Sequence, residues 1–257
     1  MLADPFSCDG EALSKKLMTF APLHWRFLGG LAGDNWTFKG VKLIHNDQVF
    51  SGGAVFACVD SDVAPAMSAR HGFSPIEGGT EMRITAIEGN RVGEIDGKPA
   101  LEVYRGELER LGLIKPGADI ISVMASYPIG VKTIIGERLK IRTPMALDGN
   151  TLVLAGSLSN GDRIRVMHGT KANMIAAAKE MTDTAMKGLK TPNVRLQFVI
   201  DCAGRKMLLG DDYKEQIRAF RVDPHSPMLG FSSYGEFARY GGSLEGFHNT
   251  TAVTAIW

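Results

Sequence analysis

The run Gln197-Phe198-Val199-Ile200-Asp201-Cys202-Ala203-Gly204-Arg205 is a short apolar stretch that ends on an acid, a cysteine, a glycine and a cation. Its first four residues, Gln197 to Ile200, read as a buried-type strand running into the polar residues that follow. Asp212 to Phe220 reads as a helix, Gly230 to Glu236 as a second glycine-bearing turn, and Thr251 to Trp257 as a closing strand. Strands and helices alternating in this way point to an α/β chain.

Working upstream, residues 171–187 form the strongest helix signal, with Met174, Ala178, Met181 and Ala185 on one face and Gly188 as the stop. The stretch 141–168 reads as all-β. Its strands are Ile141 to Thr143, Thr151 to Ala155 and Arg163 to Met167, separated by Asp148-Gly149-Asn150 and Asn160-Gly161-Asp162. Asp96-Gly97-Lys98-Pro99 is a sharp turn that opens a helix through Leu111, with Leu101, Tyr104, Leu108 and Leu111 as its apolar stripe. Arg83 to Ile87 and Arg91 to Ile95 suggest a hairpin around Glu88-Gly89-Asn90. Lys42 to His45 and Ala54 to Val59 read as strands with Asn46-Asp47 as the turn between them. Before the glycine loop Gly29-Gly30-Leu31-Ala32-Gly33-Asp34, residues 10–20 read as a short helix capped by Asp9, with Leu13, Leu17 and Phe20 at helical spacing. The order of helix, glycine turn, His-Asn pair and apolar strand occurs near both ends of the chain, at His45-Asn46 and again at His248-Asn249. The expected fold is α/β of the mixed α+β kind: two similar modules of mixed, largely antiparallel sheet packed with helices, divided into 1–94 and 95–257.

Composition narrows the function classes. A formal net charge of +1, with Lys and Arg scattered, lacks the basic face of a nucleic-acid binder. No apolar run is long enough to span a bilayer, so no membrane partner is expected. Asp4 and Asp9 near the start break the basic-then-apolar pattern of a signal peptide. Cys8, Cys58 and Cys202 are odd in number and far apart, which points to a reducing, cytoplasmic setting. Neither CxxC nor HxxxH spacing occurs, so a structural zinc site is not expected.

Several motifs in order carry a family resemblance. Asp201-Cys202-Ala203-Gly204-Arg205 after an apolar strand resembles the "F-x-C-x-G-R" element of the C-terminal domain of the FIST family. Gly230-Phe231-Ser232-Ser233-Tyr234-Gly235-Glu236 followed by His248-Asn249-Thr250-Thr251 resembles its "GF-x-x-YGE … HN-x-T" ending. Asp96 to Tyr104 is similar to that domain's "DGKPALEVY" start. Gly29 to Asp34 and Gly72-Phe73-Ser74-Pro75-Ile76 are similar to the later part of the family's N-terminal domain. That domain normally begins well upstream of a segment like Leu2-Ala3-Asp4-Pro5-Phe6, so the chain is expected to lack its first part. The resemblance implies a sensory input module for signal transduction that recognises small ligands, with amino acids proposed. It also implies a signalling partner: a histidine kinase, a cyclic-di-nucleotide enzyme or a chemotaxis component. Some relatives bind haem and respond to nitric oxide, which makes haem a possible cofactor.

The candidate ligand residues are Arg205, Tyr234, Glu236, Asn249, Thr250, Gly30 and Asp34. Arg205 offers a rigid fork of donors suited to a carboxylate; its structural alternative is an ion pair with Asp201 or Asp211. Glu236, in a tight turn with Tyr234, can take an ammonium, and the two charges together suit a zwitterion. Its alternative is capping of nearby backbone N–H groups. Asn249 and Thr250 either bond a ligand or form a polar turn. Gly30 and Asp34 belong to a glycine loop without the GK[ST] ending or GxGxxG spacing of a phosphate cradle. Cys202 invites a nucleophile reading, but a thiol after an apolar strand is more often packing. For haem, His24, His45, His71, His168, His225 and His248 are all possible axial ligands, and no CxxCH is present. The expected function is a non-enzymatic small-ligand sensor for intracellular signal transduction, its ligand an amino acid or similar zwitterion. The rivals are a haem-based nitric-oxide sensor, a small enzyme using Cys202 and a pure interaction module. With no kinase motif, helix-turn-helix signal or heptad run, the output is expected to lie on a partner protein.

Overall fold

The computed structural model describes residues 1–132, 138–189, 193–241 and 245–257. The chain opens with β1 (Leu2–Ala3), α1 (Gly10–Phe20), β2 (Phe27–Leu31), β3 (Leu43–His45), β4 (Gln48–Phe50), β5 (Ala54–Val55) and β6 (Ala66–Arg70). A mostly β stretch follows: β7 (Ser74–Pro75), β8 (Met82–Glu88), β9 (Arg91–Ile95), β10 (Lys98–Pro99) and α2 (Ala100–Arg110). It continues through β11 (Ile129–Val131), β12 (Lys140–Arg142), β13 (Pro144–Asp148), β14 (Thr151–Leu154) and β15 (Arg163–His168). The last stretch holds α3 (Lys171–Lys187), β16 (Gln197–Cys202), α4 (Ala203–Leu209), α5 (Tyr213–Phe220) and β17 (Met228–Ser233). It ends with β18 (Glu236–Arg239), β19 (Gly246–His248) and β20 (Ala252–Ile256). Mixed sheets in which antiparallel pairs predominate, packed with helices, make this the α/β chain the sequence indicates.

Two compact units form, and one is inserted in the other along the chain. Phe73–Thr170 interrupts a discontinuous unit made of Met1–Gly72 and Lys171–Trp257. A division at 94/95 follows a different line, falling inside β9 within the inserted unit. The physical reason is long-range pairing: β9 pairs with β14, and β8 pairs with β15.

In the inserted unit the sheet path is β12-β11-β15-β8-β9-β14-β13. Its core joins Ile84, Val92, Ile95, Tyr104, Leu108, Ile129, Leu152 and Ile164. Helix α2 buries Ala100, Tyr104, Glu107 and Leu108, and Leu101 is only half-buried. Glu107 takes a core-side position because it accepts hydrogen bonds from Arg110 and from the Thr80 backbone at 2.6 Å. The hairpin around Gly89-Asn90 forms as expected, with Glu88 opposite Arg91 and Gly89 at φ 57°.

The discontinuous unit holds the sheet β17-β16-β20-β6 and the sheet β19-β18-β2-β1-β5. Strands β6 and β20 are buried at every position, and β16 at all but Phe198. Small residues on one face of these strands, Ala66, Ser68 and Ala252, leave room for a helix to lie close. Helix α3 packs there with Met174, Ala178, Met181 and Ala185 buried, the face its spacing predicts. Strands β16 and β17 are parallel, so the chain must cross over between them, and α4 and α5 make that crossing. Helix α1 is capped by Asp9, whose carboxylate accepts the Ala12 N–H at 2.8 Å. Its expected stripe is incomplete, because Phe20 is 82% exposed.

Three local expectations change. The Asn46-Asp47 turn joins β3 to β4, and Ala54-Val55 pairs with β1 instead. Gly29, Gly30 and Leu31 are strand β2, because β18 pairs along them and places Glu236 opposite Gly30. A Cβ on Gly30 would lie 2.8 Å from the Ser233 Cβ, so the approach there requires glycine. The segment read as a turn from Gly230 is strand β17 as far as Ser233, held by its parallel ladder to β16.

Candidate functional site

The crossover places a buried polar cluster at the carboxyl ends of β16 and β17. Asp201, next to last in β16, is 2% exposed. Its Oδ2 accepts the Gln216 side-chain amide at 2.8 Å, and its Oδ1 lies 3.0 Å from Arg205 Nε. The two residues stand four apart across the strand-to-helix junction. Burial pushes the Asp201 carboxyl up to about 6, against the opposing pull of Arg205. Tyr213, the first residue of α5, has its hydroxyl 3.5 Å from Ser232 Oγ. Burial, and secondly the Asp201 charge, push that phenol up to about 12.

Asp201, Tyr213 and Ser232 line one side of a cavity of about 220 Å³. Ile217, Phe220, Met228 and Leu229 give it an apolar wall. Among the described lining residues Asp201 is the charged one. The cavity runs along β17 beside α5, and its polar end, at Asp201 and Ser232, lies at the carboxyl ends of the two parallel strands, where α/β sheets commonly meet ligands. A buried carboxylate with a displaced pKa at the rim of a cavity marks a candidate site.

Arg205 is fully buried. It donates to the carbonyls of His71 and Met174 and to the Gln216 side-chain oxygen, and it faces Asp201. Each branch of the fork therefore meets a protein acceptor. Glu236 is also fully buried, accepting Ser233 Oγ at 2.6 Å and the Thr251 N–H at 3.3 Å. Burial is the main cause that pushes the Glu236 carboxyl up to about 8. Neither residue lines the cavity. A zwitterion gripped between them would have to displace these partners. Asn249 and Thr250 sit in the buried turn from β19 to β20, where the Asn249 carbonyl accepts Thr251 Oγ1 at 2.8 Å.

Tyr234 and Asp34 do come together, away from that cavity. The phenol donates to Asp34 Oδ1 at 2.7 Å and accepts the Trp36 N–H at 2.6 Å. Asp34 Oδ2 accepts Thr37 Oγ1 and the Lys39 N–H. Desolvation works against its ionisation, yet the hydrogen bonds from Tyr234, Thr37 and the loop backbone hold the carboxyl below the usual carboxylate range. This net fixes Asn35, Trp36 and Phe38 at positive φ and stacks Trp36 and Phe38 against Tyr234.

Family models match almost the whole chain: FIST N domain over residues 1–98 and FIST C domain over residues 100–239. The chain belongs to the FIST family. FIST domains are sensory domains of signal-transduction proteins. An uncharacterized protein of Methanocaldococcus jannaschii is 25% identical over 258 residues, covering 89% of this chain and 48% of that protein. The FIST chain thus spans about half the length of that relative. No solved structure matches it significantly.

Cys202 is buried, and burial first, then the Glu236 charge, push its thiol well above the usual range. A thiol in that state prepares no thiolate at neutral pH. Haem does not fit the cavity beside Asp201: its volume falls short of the roughly 300–1,000 Å³ of drug-sized pockets. Among the described residues, no three His, Cys, Asp or Glu side chains gather to hold a metal. No described helix is long and apolar enough to cross a membrane.

Sequence reasoning reached Asp201 only as a partner for Arg205, and it missed Tyr213, Gln216 and Ser232 as members of one cluster. The available signal was the acid at the end of an apolar strand with a cation four residues on, a spacing that brings opposite charges together across a strand-to-helix junction.

Proposed function

We propose that this FIST protein is a non-enzymatic sensory module that binds a small amine-bearing ligand, an amino acid or a similar small zwitterion, with its ammonium at Asp201. The observation that carries the proposal is the cavity of about 220 Å³ with one buried carboxylate at its polar end. With a carboxyl near 6, Asp201 is mostly ionised at neutral pH. A charge-assisted hydrogen bond from an ammonium supplies the solvation its buried position denies it. Tyr213 and Ser232 add hydroxyl partners, and Ile217, Phe220 and Leu229 accept a short hydrocarbon body. The cavity's size selects small ligands. The protonated Cys202 thiol supports a non-enzymatic role, and the family's sensory role supports a reading in which a signalling partner carries the output: a histidine kinase, a cyclic-di-nucleotide enzyme or a chemotaxis component.

Calorimetric titration with the amino acids and with short primary amines checks this. Saturable binding is expected, weakened about tenfold or more by Asp201→Asn, the effect of losing roughly 1.4 kcal/mol or more of a charged hydrogen bond. Binding also weakens as pH falls through about 6, where Asp201 takes up a proton. Undiminished affinity in Asp201→Asn would remove the assignment.

A further inference from the structure

The chain leaves the discontinuous unit after Gly72 and re-enters it at Lys171. These two segments form a neck, and their backbones touch. Gly72 has φ +84°, and a Cβ there would lie 2.8 Å from Met174 Cα and from the Asn173 carbonyl oxygen. Only glycine meets both the angle and the approach. Just before the exit, Arg70 ties β6 to α3 through Glu180 at 2.9 Å and Thr184 at 3.2 Å. Arg205 reaches both sides of the neck: one branch donates to the His71 carbonyl before the exit, and another donates to the Met174 carbonyl after the re-entry at 3.0 Å.

Behind the guanidinium stand Asp201 and Gln216. Gln216 bridges them, accepting from Arg205 and donating to Asp201 at 2.8 Å. Asp201 therefore stands between the clasping cation, with Gln216, on one side and the cavity on the other. We infer that Arg205 is a clasp on the neck, that Asp201 sets its grip, and that a cation arriving in the cavity loosens it by competing for the same carboxylate. The last step rests on the ligand reading proposed above; the clasp itself rests on the contacts around Arg205. A ligand signal would thereby reach the two segments through which the chain passes to the inserted unit.

Hydrogen exchange of the whole chain, read by mass spectrometry at pH 7, separates these claims. Asp201→Asn turns an amide donor toward Arg205, and Arg205→Lys keeps the charge but cannot fork to two carbonyls. Both are expected to speed exchange about tenfold in peptides covering residues 70–73 and 172–179, while β16 and β20 keep wild-type protection. Leu229→Ala, on the exposed apolar wall of the cavity and with no contact to Asp201 or Arg205, is expected to keep a wild-type neck. Propylammonium chloride, at concentrations shown by calorimetry to saturate, is expected to reproduce the loosening in the wild type. Unchanged or uniformly raised exchange in both Asp201→Asn and Arg205→Lys overturns the clasp. Saturable propylammonium binding with an unchanged neck overturns the coupling and leaves the ligand reading standing. Selective loosening in the variants without amine binding leaves the clasp standing and removes the ligand reading.

Discussion

Replacing Arg205 with alanine is expected to lower unfolding stability by about 3–5 kcal/mol, the cost of breaking a buried ion pair by removing one partner. The fully buried guanidinium meets acceptors from four places: the His71 carbonyl, the Met174 carbonyl, the Gln216 amide and the Asp201 carboxylate. Alanine leaves the buried Asp201 carboxyl without its cation, two buried carbonyls without their donor, and a void the size of the lost side chain. Arg205→Lys restores the charge without the fork and should recover part of the loss. Urea unfolding of the three proteins at pH 7 checks the order: wild type most stable, lysine intermediate, alanine least. A loss below 1 kcal/mol for alanine would mean that the guanidinium is not the framework element its contacts describe.

The second large effect is in pH. Glu236 is pushed from an ordinary 4.5 up to about 8 and Asp201 from 3.8 up to about 6, burial being the largest cause in each. Below their ordinary values both groups are protonated in the folded and unfolded chains, and pH has no leverage through them. Above those values the unfolded chain releases its protons while the folded chain keeps them. The folded state then binds more protons, so stability falls as pH rises, and the fall ends once pH passes the folded values. For Glu236 the window runs from about 4.5 to about 8. Glu236→Gln stays neutral and keeps an oxygen acceptor for Ser233 Oγ. Relative to wild type, its stability should climb by up to ~1.4 kcal/mol per pH unit across that window and level off beyond it. Denaturant unfolding from pH 4 to 9 tests this. Curves that stay parallel would show that Glu236 ionises in the fold as readily as in the unfolded chain.

Helix α3 is legible in the sequence because burial on a flat sheet imposes a simple period, and Met174, Ala178, Met181 and Ala185 keep to it. The hairpin at Gly89-Asn90 is legible for a similar reason: a tight turn demands its own residues. Strand β2 is not. Gly29 and Gly30 look like a loop until a partner strand is known, and their partner, β18, lies about two hundred residues away. Helix α4 is hidden because Ala203-Gly204-Arg205 carries no cap signal, and its register follows from Arg205 reaching His71 and Met174. The same holds for the site. Arg205 and Glu236 stand out as charges in a motif, but which of them faces a cavity depends on which neighbours the fold brings. Long-range contacts surrounded both with protein partners and left the Asp201 carboxylate beside open space, with Tyr213 and Ser232.

The central claim is that a small ammonium sits on Asp201 at the ends of β16 and β17. The most direct measurement is a crystal structure of the protein soaked with the tightest-binding amine or amino acid of the calorimetric panel. The account predicts ligand density between α5 and β17, with the nitrogen within about 3 Å of an Asp201 carboxylate oxygen. Density elsewhere, such as against the Trp36, Phe38 and Tyr234 rings, or an empty cavity beside Asp201 at saturating ligand, would contradict it.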